Sequence, residues 1–169
     1  MKIKTIIIAF IFLASASTLM AQTETEKPKL YNPEANAKKE ISDAVTKAKK
    51  EGKNVFIQVG GNWCVWCLRF NKLVTESIEL TKIMNDSYVV LHVNYSKENK
   101  NEEALASLGY PQRFGFPVFV VLDANGKRLN TQNSAYLEDG KGAHSEKLVS
   151  EFLQSWTPTA INPETYKAK

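Results

Sequence analysis

The sequence predicts an α/β fold in which a central mixed sheet of four to five strands is covered by helices on both faces. Three features indicate this fold. Helical and strand-like patterns alternate along the chain, two short apolar runs at 54–59 and 118–122 are typical of buried strands, and Asn125-Gly126 is a strong hairpin turn. The first two strands should therefore be parallel, joined by a right-handed helical crossover, and the last two antiparallel.

Each element has its own signal in the sequence. The first helix shows one apolar face, Gly52 marks its end, and Ser145 is placed to cap the last helix. The apolar residues of the first helix recur at helical spacing: Ile41, Ala44, Val45 and Ala48. The predicted order is helix 36–51, strand 54–59, helix 64–75, helix 77–85, strand 88–95, helix 102–108, strand 118–122, strand 127–132 and helix 145–156.

The N-terminus has the build of a secretory signal peptide. Lys2 and Lys4 precede an apolar run at 6–13, and small residues follow it up to Ala21. We predict a signal peptide over 1–21 and export to the periplasm; an uncleaved N-terminal anchor is the alternative. The rest of the chain divides into a polar tether, one domain and a polar tail: 22–35, 36–157 and 158–169.

The charge balance argues against nucleic acid as a partner. The whole chain carries 22 Lys and Arg against 18 Asp and Glu. Without Lys2 and Lys4 the excess falls to two positive charges, which is too small for an electrostatic nucleic-acid surface.

The chain has only two cysteines, Cys64 and Cys67. A bridge that closes so short a loop gains little of the entropy that makes long-range disulfides stabilising. The pair follows a predicted strand and a glycine-containing turn, and it begins a predicted helix, whose free N–H groups and dipole favour a thiolate at Cys64. This spacing and position indicate dithiol–disulfide exchange, in which Cys64 attacks and Cys67, one turn later, resolves the mixed disulfide.

A structural staple and half of a metal site are the alternatives to redox chemistry. Two thiolates supply only half of the four ligands that structural zinc requires, and His92 and His144 do not form a ligand pair by spacing. Leu68 stands where covalent haem attachment would need a histidine. We therefore predict no metal and no cofactor.

The cysteine motif and a later proline together resemble the thioredoxin family. The motif is Trp63-Cys64-Val65-Trp66-Cys67 after an apolar strand, and Phe116-Pro117 opens a later strand. The resemblance extends over 36–156 and is greatest to exported bacterial thioredoxin-like proteins and to the periplasmic domain of transmembrane electron-transfer reductases. It implies that Cys64 is the attacking thiol and Cys67 the resolving one. It also implies that Pro117 is a cis-proline facing them, with Phe116 at the substrate surface. Apart from the resemblance, an exposed Trp63 beside a reactive thiol offers an apolar platform for an extended peptide; the alternative is that Trp63 and Trp66 pack into the core.

Two positions depart from the usual thioredoxin pattern. Val65 and Trp66 stand between the cysteines, and Gln58 stands where thioredoxins carry a buried aspartate. A carboxylate can accept the proton of the resolving thiol, whereas an amide cannot. Proton transfer at Cys67 must then use water or another group.

The sequence thus predicts a thiol–disulfide oxidoreductase that acts on exported proteins. No histidine lies between the cysteines to stabilise the Cys64 thiolate, which favours a reductant over a strong oxidant. Its expected partners are the thiols and disulfides of exported proteins and a membrane electron donor. Two alternatives are an oxidase or isomerase of disulfides, and a binding module that uses Trp63 and Phe116 without catalysis.

Overall fold

The computed structural model describes residues 29–167, so the predicted signal peptide lies outside the described residues. Five α-helices and four strands form the domain. The helices are α1 (Ala37–Glu51), α2 (Val65–Glu76), α3 (Ile78–Ser87), α4 (Glu102–Ser107) and α5 (Glu146–Ser155). The strands are β1 (Asn54–Gly60), β2 (Tyr88–Asn94), β3 (Val118–Leu122) and β4 (Arg128–Asn133). Three short 3-10 helices, which the sequence did not predict, span Pro111–Phe114, Ser134–Leu137 and Pro163–Tyr166.

The four strands form one mixed sheet in the order β2-β1-β3-β4. β1 and β2 are parallel, and β3 is antiparallel to both β1 and β4. The predicted directions and the mixed α/β class are confirmed. β1 and β3 lie in the centre of the sheet, and every residue of both strands is buried, as expected for short apolar runs.

Each face of the sheet carries its own hydrophobic core. Small aliphatic residues fill the face covered by α1 and α4, including Ala44, Val55 and Leu105. The other face, covered by α2, α3 and α5, is aromatic, with Phe56, Phe70, Phe119 and Phe152 among its buried residues. Successive residues of a strand point to opposite faces, so β1 sends Phe56 and Gln58 to the aromatic side, where the cysteines also lie.

Local chemistry sets the element ends where the sequence predicted them. The side chains of Asn36, Ser77 and Ser145 accept hydrogen bonds from backbone N–H groups in the first turns of α1, α3 and α5. Asp123 Oδ1 accepts from the amides of Asn125 and Lys127 in the hairpin turn. These caps fix where each helix begins and therefore how the loops between elements are placed.

The segment before α1 packs on the domain within the range predicted as a tether. Asn99 Nδ2 donates to the carbonyl oxygens of Pro33 and Ala35 at 2.9 and 3.2 Å. Tyr31 is completely buried. The described part of this segment is therefore held against the fold. None of the helices within residues 29–167 is both long enough and apolar enough to cross a membrane.

Candidate redox site

The cysteines lie where β1 passes through a tight turn into α2. β1 ends at Gly60, while Gly61 and Asn62 begin the connection, and Cys64 is the N-cap residue of α2. Cys64 and Cys67 form a disulfide, with Cα atoms 5.2 Å apart. The sequence predicted that the cysteines follow a strand and a turn and begin a helix, and the structure confirms this placement. The two sulfurs are bonded, as expected for a C-x-x-C motif.

The two sulfurs occupy different environments. Cys64 Sγ accepts a hydrogen bond from the backbone amide of Cys67 at 3.1 Å, so the helix N-terminus already serves this sulfur. Cys64 is 5% exposed and Cys67 is fully buried. Cys64 is more accessible than Cys67, as predicted. Its exposed fraction is nevertheless far smaller than that expected for a residue at an exposed helix start. The reason is that neighbouring side chains, Trp66 and Phe116 among them, pack over the disulfide.

An aromatic patch lies beside Cys64 and consists of Trp63, Tyr95 and Phe116. The ring of Phe116 contacts Trp63 edge to face at 5.4 Å and Tyr95 at 4.8 Å between centroids. Trp63 is 56% exposed, and its indole Nε1 donates to the Tyr95 carbonyl oxygen at 2.7 Å. A cavity of about 390 Å³ opens beside this patch and is lined by Trp63, Tyr95, Ser96, Lys97, Glu98 and Lys100. The patch offers apolar area with a polar rim.

Pro117 directly precedes β3 and is buried. The peptide bond between Phe116 and Pro117 is cis, as the resemblance implies. Phe116 packs against the cluster that contains both cysteines, so the structure brings this second part of the predicted site to the first.

A second group of residues lies on the inner side of the disulfide. We call it the inner pocket, and it consists of Tyr31, Gln58, Gly60 and Cys67. Gln58 Nε2 donates to the Tyr31 hydroxyl oxygen at 2.6 Å and to the Cys67 carbonyl oxygen at 3.0 Å. A Cβ atom on Gly60 would overlap Cys67 Sγ and would lie 2.8 Å from the Tyr31 hydroxyl oxygen. Glycine is therefore required for the sulfur and the phenol to approach the strand this closely.

Asn62 anchors Tyr31 in this position. The Tyr31 amide donates to Asn62 Oδ1 at 3.0 Å, and Asn62 Nδ2 donates back to the Tyr31 carbonyl oxygen at 2.7 Å. This reciprocal pair ties the segment before α1 to the turn that carries Cys64. Burial raises the pKa of Tyr31, and the hydrogen bond from Gln58 opposes this only in part, so the phenol stays protonated at ordinary pH.

The two histidines lie on different sides of the site. His92, on β2 opposite Gln58, contacts the ring of Tyr31 at 5.6 Å between centroids, and burial lowers its pKa to about 4. His144 packs on Trp66 and Phe70, and burial also lowers its pKa. Both are neutral near pH 7. Within residues 29–167, no group of three or more histidine, cysteine or acidic side chains is arranged to hold a metal ion.

Sequence reasoning missed three residues of this site. Tyr31 belongs to the inner pocket, Asn62 anchors Tyr31, and Tyr95 completes the aromatic patch. The only signal for Tyr31 was an apolar Leu30-Tyr31 pair within an otherwise polar segment. Nothing in the sequence linked that pair to Gln58, because they are brought together only by the fold.

Comparison with known proteins gives a consistent picture. A family described as Thioredoxin-like matches residues 36–124, more than half of the chain. "Disulfide bond reductase DsbH" of Chlamydia pneumoniae is 26% identical over 122 residues, covering 67% of this chain and 70% of that protein. "Thiol:disulfide interchange protein DsbD" of Salmonella typhi is 31% identical over 88 residues, covering 52% of this chain but only 15% of its own length.

Two solved structures have a similar fold. A disulphide isomerase from Xylella fastidiosa Temecula1 superimposes with a TM-score of 0.66 at 22% identity and covers 75% of this chain and 95% of its own. A structure described as "DsbH Oxidoreductase" gives a TM-score of 0.51 at 22% identity, covering 68% of this chain and 79% of its own. At these identities the superpositions show a common fold.

Proposed function

The chain belongs to the thioredoxin-like family and carries the C-x-x-C pair of a thiol–disulfide oxidoreductase, and we propose that it reduces disulfides in exported proteins. The observation that carries this proposal is the position of Cys64. It caps α2, where the backbone N–H of Cys67 in the first turn already bonds its sulfur, and it is disulfide-bonded to the buried Cys67.

The proposed reaction has two exchange steps. In the reduced protein, the Cys64 thiolate attacks one sulfur of a substrate disulfide; a Cys64–substrate bond forms, and the other substrate sulfur leaves and takes up a proton. Cys67 then loses its proton and attacks Cys64. The Cys64–Cys67 bond forms, and the second substrate sulfur leaves and is protonated. The substrate gains two electrons and two protons, and the protein becomes the disulfide form.

The aromatic patch and Pro117 form the proposed substrate surface. Phe116 contacts the cysteine cluster, and Trp63 is largely exposed beside it, so an extended polypeptide could lie across both. Aromatic side chains supply large apolar contact area at low entropic cost. Trp63, Phe116 and Pro117 are therefore proposed to hold the segment of substrate that carries the disulfide.

The reducing direction is supported by what surrounds Cys64. Strong oxidants of this fold owe their potential to a stabilised reduced form. Val65 and Trp66 lie between the cysteines, and neither places a cation on the Cys64 sulfur. We expect a potential near that of thioredoxin, about −270 mV, and far from about −120 mV; the gap of about 150 mV is about 7 kcal/mol for two electrons. The name of the Chlamydia relative, a reductase, also supports this direction.

Export and partners complete the proposal. The basic start and apolar run of the N-terminus support secretion to the periplasm. That compartment is oxidising, so a reductant there needs a supply of electrons. We propose a membrane-bound dithiol protein as the donor, and the local similarity to DsbD, whose name describes thiol:disulfide interchange, supports an electron-transfer setting.

Equilibration with glutathione buffers of defined potential tests the direction. The fraction of protein with free Cys64 and Cys67 thiols, trapped by acid and alkylation, gives the midpoint. We expect it below about −230 mV. A midpoint above about −180 mV would overturn the reductase assignment and favour an oxidase or isomerase. Intact-mass analysis of the protein from its native host tests export, and a soluble cytoplasmic form that retains Met1 would contradict it.

A further inference from the structure

The inner pocket contains a hydroxyl group that can stabilise the thiolate of Cys67. Gln58 is neutral and cannot accept the proton of the resolving thiol. We propose that the Tyr31 hydroxyl donates a hydrogen bond to the Cys67 sulfur once the disulfide opens, stabilises its thiolate and so speeds resolution of the mixed disulfide. The inference deepens the proposed function and rests on it. Tyr31 lies outside the region that matches the family, which begins at residue 36.

The first step of the argument is proximity. Tyr31, Cys64 and Cys67 form one buried cluster, separate from the two larger cores. The Cβ position of Gly60 lies in contact distance of both the Cys67 sulfur and the Tyr31 hydroxyl oxygen. The two atoms therefore approach the same point above the strand.

The second step is the direction of the hydrogen bonds. The Cys67 carbonyl oxygen can only accept, so the amide group of Gln58 must turn its NH₂ toward it. The same nitrogen lies 2.6 Å from the Tyr31 hydroxyl, which therefore acts as the acceptor in that bond. In that bond the Tyr31 hydroxyl oxygen uses a lone pair, so the bond does not occupy the hydroxyl proton. This proton can therefore be donated elsewhere, and the Cys67 sulfur, which approaches the same point above Gly60, gains acceptor capacity on reduction.

The third step concerns the other titratable groups near this point. Burial keeps the Tyr31 phenol protonated, so it can donate throughout the pH range of the reaction. His92, which contacts the Tyr31 ring from β2, is neutral above about pH 4 because it is buried. On α2, the guanidinium of Arg69 lies over the Trp66 ring and donates to the Gly142 carbonyl oxygen. His144, from the loop before α5, packs against Trp66 and is neutral for the same reason as His92.

The fourth step is the chemistry. In the mixed disulfide, Cys67 must lose its proton to solvent before it can attack the Cys64 sulfur; the departing thiolate later takes up a proton. A hydrogen bond from a neutral phenol to the thiolate lowers the pKa of Cys67 without itself gaining or losing a proton. Tyr31 therefore acts on the second step alone, since Cys64 is served by the N-terminus of α2.

The test uses 5,5′-dithiobis(2-nitrobenzoate), a small disulfide with a coloured leaving group, on the reduced full-length protein. Attack by Cys64 releases the first coloured thiolate, and resolution by Cys67 releases the second. Stopped-flow traces from pH 5 to 9 give a rate for each phase. For Tyr31→Phe we expect the first rate to stay within about twofold, and the second to fall about tenfold at pH 7. The pH midpoint of the second phase should rise by about one unit in this variant.

Tyr88→Phe is the matched control. Tyr88 is also a buried tyrosine with a raised pKa, but its hydroxyl donates to the Leu153 carbonyl oxygen in the aromatic core. This variant should leave both phases and the pH midpoint unchanged. If Tyr31→Phe does not fold, Asn62→Ala removes the two hydrogen bonds that anchor Tyr31 and should slow the second phase relative to the first.

The outcomes separate the two proposals. A wild-type protein that shows no second phase would overturn both, because Cys67 would then not resolve. A wild-type protein with two phases, and a Tyr31→Phe variant whose second phase keeps its rate and pH midpoint, would overturn only the role of Tyr31. Equal slowing in Tyr31→Phe and Tyr88→Phe would also overturn it, because any lost buried hydroxyl would then have the same effect.

Discussion

The two sides of the Cys64–Cys67 disulfide differ in exposure and in the side chains that surround the sulfurs. The outer side is the aromatic patch, in which Trp63 is exposed and Tyr95 and Phe116 are half-buried. The inner side is buried, and it places an amide, a phenol and a glycine around Cys67. The comparison places the proposed substrate contacts and the proposed control of the Cys67 thiolate on separate faces of the same motif. Changes on one face should therefore leave the other function largely intact.

The largest expected effect separates the two thiols themselves. Cys64→Ser should abolish attack on any disulfide, whereas Cys67→Ser should still attack and should accumulate mixed disulfides, because the resolving thiol is missing. In the reduced wild-type protein, Cys64 should also react with iodoacetamide at least about tenfold faster than Cys67. Mass spectrometry after timed alkylation and non-reducing gels of trapped adducts measure this. Equal alkylation and equal trapping would remove the distinction between the two sides.

A pair of neighbouring glycines tests the two faces separately. A Cβ atom on Gly60 would overlap Cys67 Sγ, whereas one on Gly61 would overlap Trp63 Nε1 and lie 2.8 Å from the Tyr95 carbonyl oxygen. Gly60→Ala and Gly61→Ala should each lower the free energy of unfolding by about 1–3 kcal/mol, because a packed neighbour must shift. Only Gly60→Ala should slow resolution by Cys67.

Urea unfolding and the two-phase assay described above measure both effects. Each glycine variant serves as the control of the other, since they differ by one position and by the face that they disturb. A Gly60→Ala protein with wild-type stability and wild-type resolution would show that the inner pocket is not closely packed.

His92, which contacts Tyr31 on the inner side, should make the free energy of unfolding depend on pH. Burial lowers the pKa of His92 to about 4 in the folded protein, whereas an unfolded histidine titrates near about 6.5. As the pH falls through this window, the unfolded chain takes up a proton that the folded protein does not. The free energy of unfolding should therefore decrease, by at most about 1.4 kcal/mol for each pH unit from this group.

Urea unfolding of the wild type and of His92→Gln between pH 4 and 8 measures this slope. The variant should lose a large part of the decrease below about pH 6.5, while His144, whose pKa burial also lowers, accounts for some of what remains. Identical slopes in the two proteins would mean that His92 is hydrated in the folded state.

The smallest expected effect is on the outer side. Trp63→Ala should raise KM for a polypeptide disulfide by about tenfold, because an exposed aromatic anchor is lost, and should change the reaction with a small disulfide by less than about twofold. Ile78→Ala is a suitable control, since Ile78 is 89% exposed and lies on α3 outside the aromatic patch. Equal losses with both substrates would indicate that Trp63 acts on Cys64 and not on substrate binding.

The sequence by itself determined most of the fold and the reacting pair. Short apolar runs and helical periodicity located the strands and helices to within a few residues, because burial of a strand face or helix stripe leaves a regular pattern in the chain. The C-x-x-C motif at a strand-to-helix junction identified Cys64 and Cys67, since all the parts of that junction are contiguous in sequence. The hairpin at Asn125-Gly126 was predicted for the same local reason.

Only the tertiary structure decided what surrounds the two sulfurs. Tyr31 and Gln58 are 27 positions apart, and Trp63 and Tyr95 are 32 apart, so no local pattern links them. The segment that carries Tyr31 looks like a polar linker in sequence, and hydrogen bonds to Asn62 and Asn99 hold it against the domain. The modest exposure of Cys64 was likewise set by side chains from distant elements packing over it. Long-range packing, which periodicity and spacing do not encode, therefore gives each cysteine its own environment.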